Sequence, residues 1–209
     1  MYLSRIKLDI TRSDTMRAFV SPNLIHGALE CAETDGRTRK LWRIDRLGNE
    51  QYLLIVSESA LDFSNAAKQF GGETAVETKS YDGLLARIVN GSQWQFRLKA
   101  NPTVQKTDSK TGRGKPIAHI TPKHQEEWLK RQAEKHGFSL SDDEWRVTGS
   151  QWYRFRKGQS QHKVCMLAVT YEGILTVTDA DLFRDALTQG IGREKAYGMG
   201  MLTVTGVRK

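Results

Sequence analysis

Cysteine and proline are scarce in this chain, with two of the first and four of the second among 209 residues. Cys31 and Cys165 form no C-x-x-C, so neither a disulfide framework nor a thiolate metal cluster can be read from them. A soluble, reducing, cytoplasmic setting suits such a chain. Long apolar runs are also missing. The segment VCMLAV is far too short to cross a bilayer, and MYLSRIKLDI at the start holds no apolar stretch of signal-peptide length. No H-E-x-x-H, no G-x-S-x-G and no Gly-Lys-Ser/Thr phosphate loop occurs. His119, His124, His136 and His162 show no metal-ligand spacing. These absences argue against a membrane protein, a metalloenzyme, a serine hydrolase and a P-loop nucleotidase. They predict no metal and no cofactor.

Positive charge is plentiful. Lysine and arginine total 32 against 24 acids, for a net charge of +8 at pH 7. A polyanionic partner follows, with nucleic acid first among them. The 38% of hydrophobic residues suffices for the core of one medium domain or two small ones.

The cations fall in three stretches. FRLKANPTVQKTDSKTGRGK carries Arg97, Lys99, Lys106, Lys110, Arg113 and Lys115, and its second half is turn-rich, as in a protruding hairpin or loop. RTRKLWR carries Arg37, Arg39, Lys40 and Arg43. WYRFRKGQSQHK carries Arg154, Arg156, Lys157 and Lys163, interleaved with Trp152, Tyr153 and Phe155. Basic side chains meet phosphates and aromatic ones stack unpaired bases. For any single stretch, solvated charge on a strand face is the plainer reading. Three together point to RNA or DNA.

A glycine-rich segment, GIGREKAYGMG, adds to this. Gly190, Gly192, Gly198 and Gly200 surround Arg193 and Lys195. Glycine lets backbone N–H groups approach a ligand, and the two cations can meet phosphate oxygens. The segment follows a helix and precedes a strand, the reverse of a dinucleotide-binding motif. A polyanion contact suits it better than a nucleotide cofactor, and Gly190 also suits a plain helix C-cap.

The element order points to an α+β fold. MYLSRIKLDI reads as a strand, Ser21-Pro22 starts a helix through NLIHGALECAE, and RKLWRID and EQYLLIVSES are strands joined at Gly48-Asn49. SNAAKQF is a short helix and GLLARIV a strand. The second half repeats the order. QWQFRLKANPTVQ is a strand with IAHI as a short partner. A helix runs from Thr121-Pro122 to near Gly137. WYRFR and KVCMLAVTYEGILTV are strands, a helix runs from Asp179 or Thr178 to Gly190, and MLTVTGV closes. This predicts two tandem ferredoxin-like (RRM-like, βαββαβ) domains, over residues 1–90 and 91–209.

His26 is the most informative histidine. Leu24, Ile25, Ala28, Leu29 and Ala32 form the apolar face of its helix, and His26 lies off that face near Asn23, Glu30 and Glu33. An ordinary surface histidine satisfies the pattern. A proton-transfer group does too, with Glu30 one turn on to favour the imidazolium.

Five segments, MYLSRI, LIHGAL, FRLKANP, YEGILTVTD and QGIGREKAYGMGML, together resemble the CasE (Cse3) family along nearly the whole chain. The family comprises CRISPR RNA-processing endoribonucleases of the RAMP group. The resemblance implies two ferredoxin-like domains. It implies metal-independent cleavage of precursor CRISPR RNA at the base of the repeat stem-loop, leaving a 2′,3′-cyclic phosphate and a 5′-OH. The enzyme then stays on the mature guide RNA beside the other Cascade subunits. His26 matches the family's catalytic histidine. Some members have a tyrosine three residues earlier, where this chain has Asn23, so Asn23 assists or another group fills the role. Arg156, Lys163 and Lys195 are candidates to stabilise the transition-state charge. The remaining cations and the glycine segment become RNA contacts. The isolated chain is expected to be a monomer without a membrane partner. The alternative is a non-catalytic RNA-binding scaffold on the same fold.

Overall fold

The computed structural model describes residues 1–32, 38–72, 76–107, 114–156 and 163–207. The expectations for Arg37, Lys110, Arg113, Lys157 and His162 lie outside these residues. In the first half, β1 (Tyr2–Leu8) leads through α1 (Ser13–Val20) and α2 (Asn23–Glu30) to β2 (Leu41–Leu47) and β3 (Glu50–Ser57). Then come α3 (Ser64–Phe70), β4 (Glu77–Ser80) and α4 (Asp82–Leu85). The second half holds β5 (Gln93–Ala100), β6 (Thr103–Thr107), β7 (Gly114–Ala118), α5 (Pro122–Lys135) and β8 (Phe138–Ser139). It ends with β9 (Trp145–Arg156), β10 (Lys163–Val177), α6 (Ala180–Gln189) and β11 (Leu202–Gly206).

The first sheet runs β2-β3-β1-β4, antiparallel throughout. The second runs β11-β5-β10, with β9 and β8 both pairing with β10. Each order is that of a ferredoxin-like fold, so the α+β expectation holds. In β1 the inward Ser4, Ile6 and Leu8 alternate with more exposed residues, as a strand covered on one face requires. Gly48, at φ +62°, permits the tight turn between β2 and β3. Asp179 caps α6 by accepting hydrogen bonds from the Asp181 and Leu182 N–H groups, both at 3.0 Å.

Three local readings need correction. The last strand of the first sheet is not GLLARIV but Glu77–Ser80, whose four residues are all exposed. This edge strand is held by backbone pairing to β1, by Ser4–Thr78 and by Arg5–Glu77, so it needs no apolar periodicity. GLLARIV instead forms a helical turn that directs Leu84, Leu85 and Ile88 to the core. Ser21 is not a side-chain cap for α2. It ends the unexpected helix α1, and its carbonyl accepts the Leu24 N–H at 3.0 Å. QWQFRLKANPTVQ is two strands, broken at Asn101-Pro102.

Helices α1 to α3 cover one face of the first sheet, where Ile6, Leu53 and Ile55 meet Ile25, Leu29 and Phe70. From the other face, Leu41 and Val56 join the core of the second half, with Leu98, Tyr171 and Phe183. The two halves therefore share apolar packing. They also share Arg43, only 1% exposed. Its Nε and Nη2 donate to Asp45 at 2.7 and 2.6 Å, and its Nη1 donates to the carbonyls of Arg97 and Met201, both at 2.8 Å. Nη2 also donates to Thr203 Oγ1 at 2.6 Å. All five guanidinium N–H groups thus have an acceptor. Arg43 is a structural bolt, not a surface cation of a nucleic-acid-binding stretch.

Burial alone pushes the Asp45 carboxyl up. The hydrogen bonds and charge of Arg43, helped by Arg97, outweigh this and hold it below its ordinary value. Its contribution to stability is therefore present above the usual carboxylate range and is lost as pH falls through the depressed value. Urea unfolding followed from neutral to acid pH should show a steeper acid-side loss in the unmodified protein than in Asp45→Asn. Arg43→Met should lower the unfolding free energy by about 3–5 kcal/mol at neutral pH, because it leaves a buried carboxylate without its main partner.

Candidate active site

Helix α2 buries Ile25 and Leu29 and turns His26 outward, with 30% of that side chain exposed. His26 Nδ1 lies 3.8 Å from Glu30 Oε1, one turn on. The same oxygen lies 3.6 Å from Lys40 Nζ, whose side chain is only 3% exposed. An ammonium this deep requires a counter-charge, and Glu30 supplies one. One carboxylate thus faces both an imidazole and a lysine.

The glycine segment brings the remaining groups. After α6 the chain doubles back, the Ile191 N–H reaching the Gly200 carbonyl at 2.9 Å. Within the loop, a short 3-10 turn, Lys195–Tyr197, packs on α2. It is entered through Glu194, at φ +59°, and left through Gly198, at φ +76°. A Cβ on Gly198 would stand 2.7 Å from the Trp42 ring, so only glycine fits there. Trp42 Nε1 also donates to the Ala196 carbonyl at 3.1 Å, pinning the turn. The Tyr197 ring is consequently held edge-on to His26, 6.1 Å between centres and 79° between planes. Phe155 supports it from elsewhere at 5.0 Å.

A groove of about 450 Å³ results, lined by His26, Glu30, Arg39, Lys40, Trp42 and Lys195. Burial, and then the charge of Arg39, push the Lys195 ammonium below its ordinary value. An anion in the groove would restore its proton affinity. The arrangement offers one group able to move a proton near neutrality and three cations around a polar space. Among the described residues, no three or more His, Cys, Asp or Glu side chains converge as metal ligands do. No helix among them is long and apolar enough to cross a membrane.

The residues singled out in the sequence separate into groups. His26, Arg39 and Lys195 share the groove. Asn23 lies three residues before His26 on the same helix, with its Oδ1 buried and taking no hydrogen bond among the described residues, and it does not line the groove. Gly190 and Gly192 serve packing, since Cβ atoms there would meet Leu41 and Trp128 at 2.8 and 3.1 Å. Arg193 is exposed. Arg97 is held by Glu172 and, at 3.5 Å, by Asp45, in a cleft between the sheets and not in the groove. Lys99 Nζ donates to Tyr153 Oη at 3.0 Å.

Lys106 and Lys115 face each other across the two-stranded arm β6–β7, and Arg156 and Lys163 across β9–β10. Arg154 and Arg156 are exposed on β9, while the alternating Tyr153 and Phe155 are each 7% exposed and pack with Met166 and Met199. Of the three aromatics expected to stack on bases, only Trp152 is on the surface, at 43%. Lys40 and Tyr197 were not singled out in the sequence as partners of His26. The only sequence signal for Lys40 is its place in the RTRKLWR run, and Tyr197 carries none beyond its glycine neighbours.

Two substitutions test this geometry. Gly198→Ala should cost about 1–3 kcal/mol of stability, as overpacking against a ring does. Gly27→Ala, in the same helix as His26 and with open space around its Cβ, should stabilise by roughly 0.5–1 kcal/mol. Thermal unfolding of both variants checks the pair.

Comparison with known proteins gives a consistent result. The sequence model of a family described as CRISPR associated protein matches residues 1–205. The CRISPR-associated endoribonuclease Cse3 of Thermus thermophilus is 27% identical over 216 residues, spanning 98% of this chain and 99% of Cse3. A structure of Thermus thermophilus Cse3 bound to an RNA representing a pre-cleavage complex aligns with a TM-score of 0.79 at 26% identity, over 98% of each chain. A chain of a CRISPR RNA-guided surveillance complex aligns at 0.75 and 26% identity, over 99% of this chain and 100% of that one. With its sequence matched from residue 1 to 205 and its fold matched over both sheets, the chain belongs to the CRISPR-associated protein family that includes Cse3.

Proposed function

We propose that this protein is a metal-independent endoribonuclease that cuts precursor CRISPR RNA at the base of the repeat stem-loop. It works in the cytoplasm and stays on the mature guide RNA within Cascade. Residues 1–90 form a ferredoxin-like domain presenting His26, and residues 91–209 a second that supplies the arm and the glycine loop. The observation that carries this reading is the meeting of His26 with Arg39, Lys40 and Lys195 around one groove. The likeness to an endoribonuclease seen bound to RNA supports it.

The chemistry needs only the RNA and these side chains. The 2′-oxygen attacks the adjacent phosphorus in line as the bond to the 5′-oxygen breaks. This leaves a 2′,3′-cyclic phosphate and a 5′-OH. His26 takes the proton from the 2′-OH as base or gives one to the leaving 5′-oxygen as acid. The groove's cations stabilise the charge that builds on the phosphorane oxygens. Asn23 is too poor an acid or base to replace a tyrosine in proton transfer.

The like-charge pairs explain the rest of the interface. Facing cations such as Lys106 and Lys115 repel each other unless a polyanion lies against them. The arm is therefore assigned to the phosphates of the stem, which is recognised by shape.

A labelled repeat RNA in excess EDTA tests the mechanism. The unmodified protein should cut it, a 2′-deoxyribose at the cut site should block cleavage, and His26→Ala should slow it about 10²–10⁴-fold while binding persists. Binding without cleavage by the unmodified protein would favour the scaffold role instead. Lys106→Ala with Lys115→Ala should weaken binding and lower the slope of log affinity against log salt by about one per lost phosphate contact.

A further inference from the structure

A second cavity, of about 240 Å³, lies next to the groove and shares Trp42 with it. Its walls are aromatic: Phe19 from α1, Trp42 from β2, Tyr153 from β9 and Tyr197 from the glycine loop. Tyr197 is also the ring that stands edge-on to His26, so the cavity wall reaches the histidine through a ring contact. The polar groups lining the cavity are few. Its lining residues carry the amides of Gln51 and Gln151, the hydroxyls of Tyr153 and Tyr197, the Trp42 indole N–H, already given to the Ala196 carbonyl, and the Lys99 ammonium, which donates to the Tyr153 hydroxyl and stands 5.2 Å from that ring's centre. No carboxylate is among its described lining residues.

These features select a ligand class. π-Faced walls suit a flat aromatic ring. Amides that both donate and accept suit a heterocycle edge carrying both kinds of group. A single ammonium among apolar walls is a poor phosphate site. The absence of acids keeps the site open to part of a polyanion, in a chain of net charge +8. We propose that this cavity holds one unpaired nucleobase of the bound RNA, next to the phosphate that is cut. The proposal rests on the endoribonuclease reading above.

A base drawn into this cavity leaves its stack, and its ribose is displaced with it. Because Trp42 lines both spaces, the displaced nucleotide borders the groove holding His26. Seating the base therefore fixes the backbone where proton transfer occurs, which is how binding energy becomes orientation.

The test uses the full chain and a repeat hairpin with a 2′-deoxyribose at the cut site, so that binding is read without cleavage. A single abasic nucleotide is placed in turn at each unpaired position flanking the cut. One position should weaken binding roughly tenfold, the scale of one base–aromatic stack, and the others should not. Phe19→Ala should remove that difference. So should Gln151→Phe, which fills the cavity from an exposed strand position and does not disturb the core. Equal binding at every abasic position, or a tenfold penalty that survives in both variants, would overturn the proposal while cleavage of the ribose hairpin leaves the nuclease reading standing. A ribose hairpin neither bound nor cut would overturn both.

Discussion

The Arg43 guanidinium is the constraint on which the molecule depends. It leaves β2 in the first sheet, pairs with Asp45, and places its remaining donors on the carbonyls of Arg97 and Met201 and the hydroxyl of Thr203 in the second. A buried ion pair is weak support for stability in general, because desolvation opposes it. Here its geometric role matters more. An arginine with every donor occupied tolerates little sliding of one sheet past the other. The apolar contacts of Leu41 and Val56 across the same boundary do not have that directionality.

The position of the glycine loop follows from that bolt. Met201 lies just before β11 and Thr203 is its second residue, immediately after the loop, and Trp42 is the neighbour of Arg43 on β2. Arg43 holds the loop's exit while Trp42 holds its turn, one side chain on each face of the same strand. The glycines let the loop press against Leu41, Trp128 and Trp42, where any side chain would collide. They act by allowing close packing of protein on protein. Of the cations in the loop, Lys195 lines the groove.

Cations gather in two places, on paired strands and around the groove. Lys106 faces Lys115, Arg156 faces Lys163, and Arg39, Lys40 and Lys195 surround a groove in which Glu30 is the lining carboxylate. Like charges that face each other across a ladder repel, and a phosphate lying against them would relieve that repulsion. Within the groove Glu30 faces Lys40 and His26. Asp45 and Glu172 are engaged with Arg97, away from His26.

The strands and helices with strong periodicity could be read directly. These were β1, β2, β3, β10, α5 and α6, together with the repeated ferredoxin-like order, because burial of one face writes itself into the chain at a spacing of two or 3.6 residues. The outward placement of His26 was also legible, since departing from the apolar face of a helix is a local property. The edge strand Glu77–Ser80 was not, because backbone pairing alone holds it and leaves no pattern. The sequence marked Arg43 and Arg97 as basic, but only the tertiary structure decided that they would be sealed by Asp45 and Glu172. It likewise buried Tyr153 and Phe155, and set Lys40, Lys195 and Tyr197 beside a histidine far from two of them in sequence. The physical reason is that local spacing determines which face a residue takes, whereas its partner is determined by a sheet-to-sheet register that no short window of sequence contains.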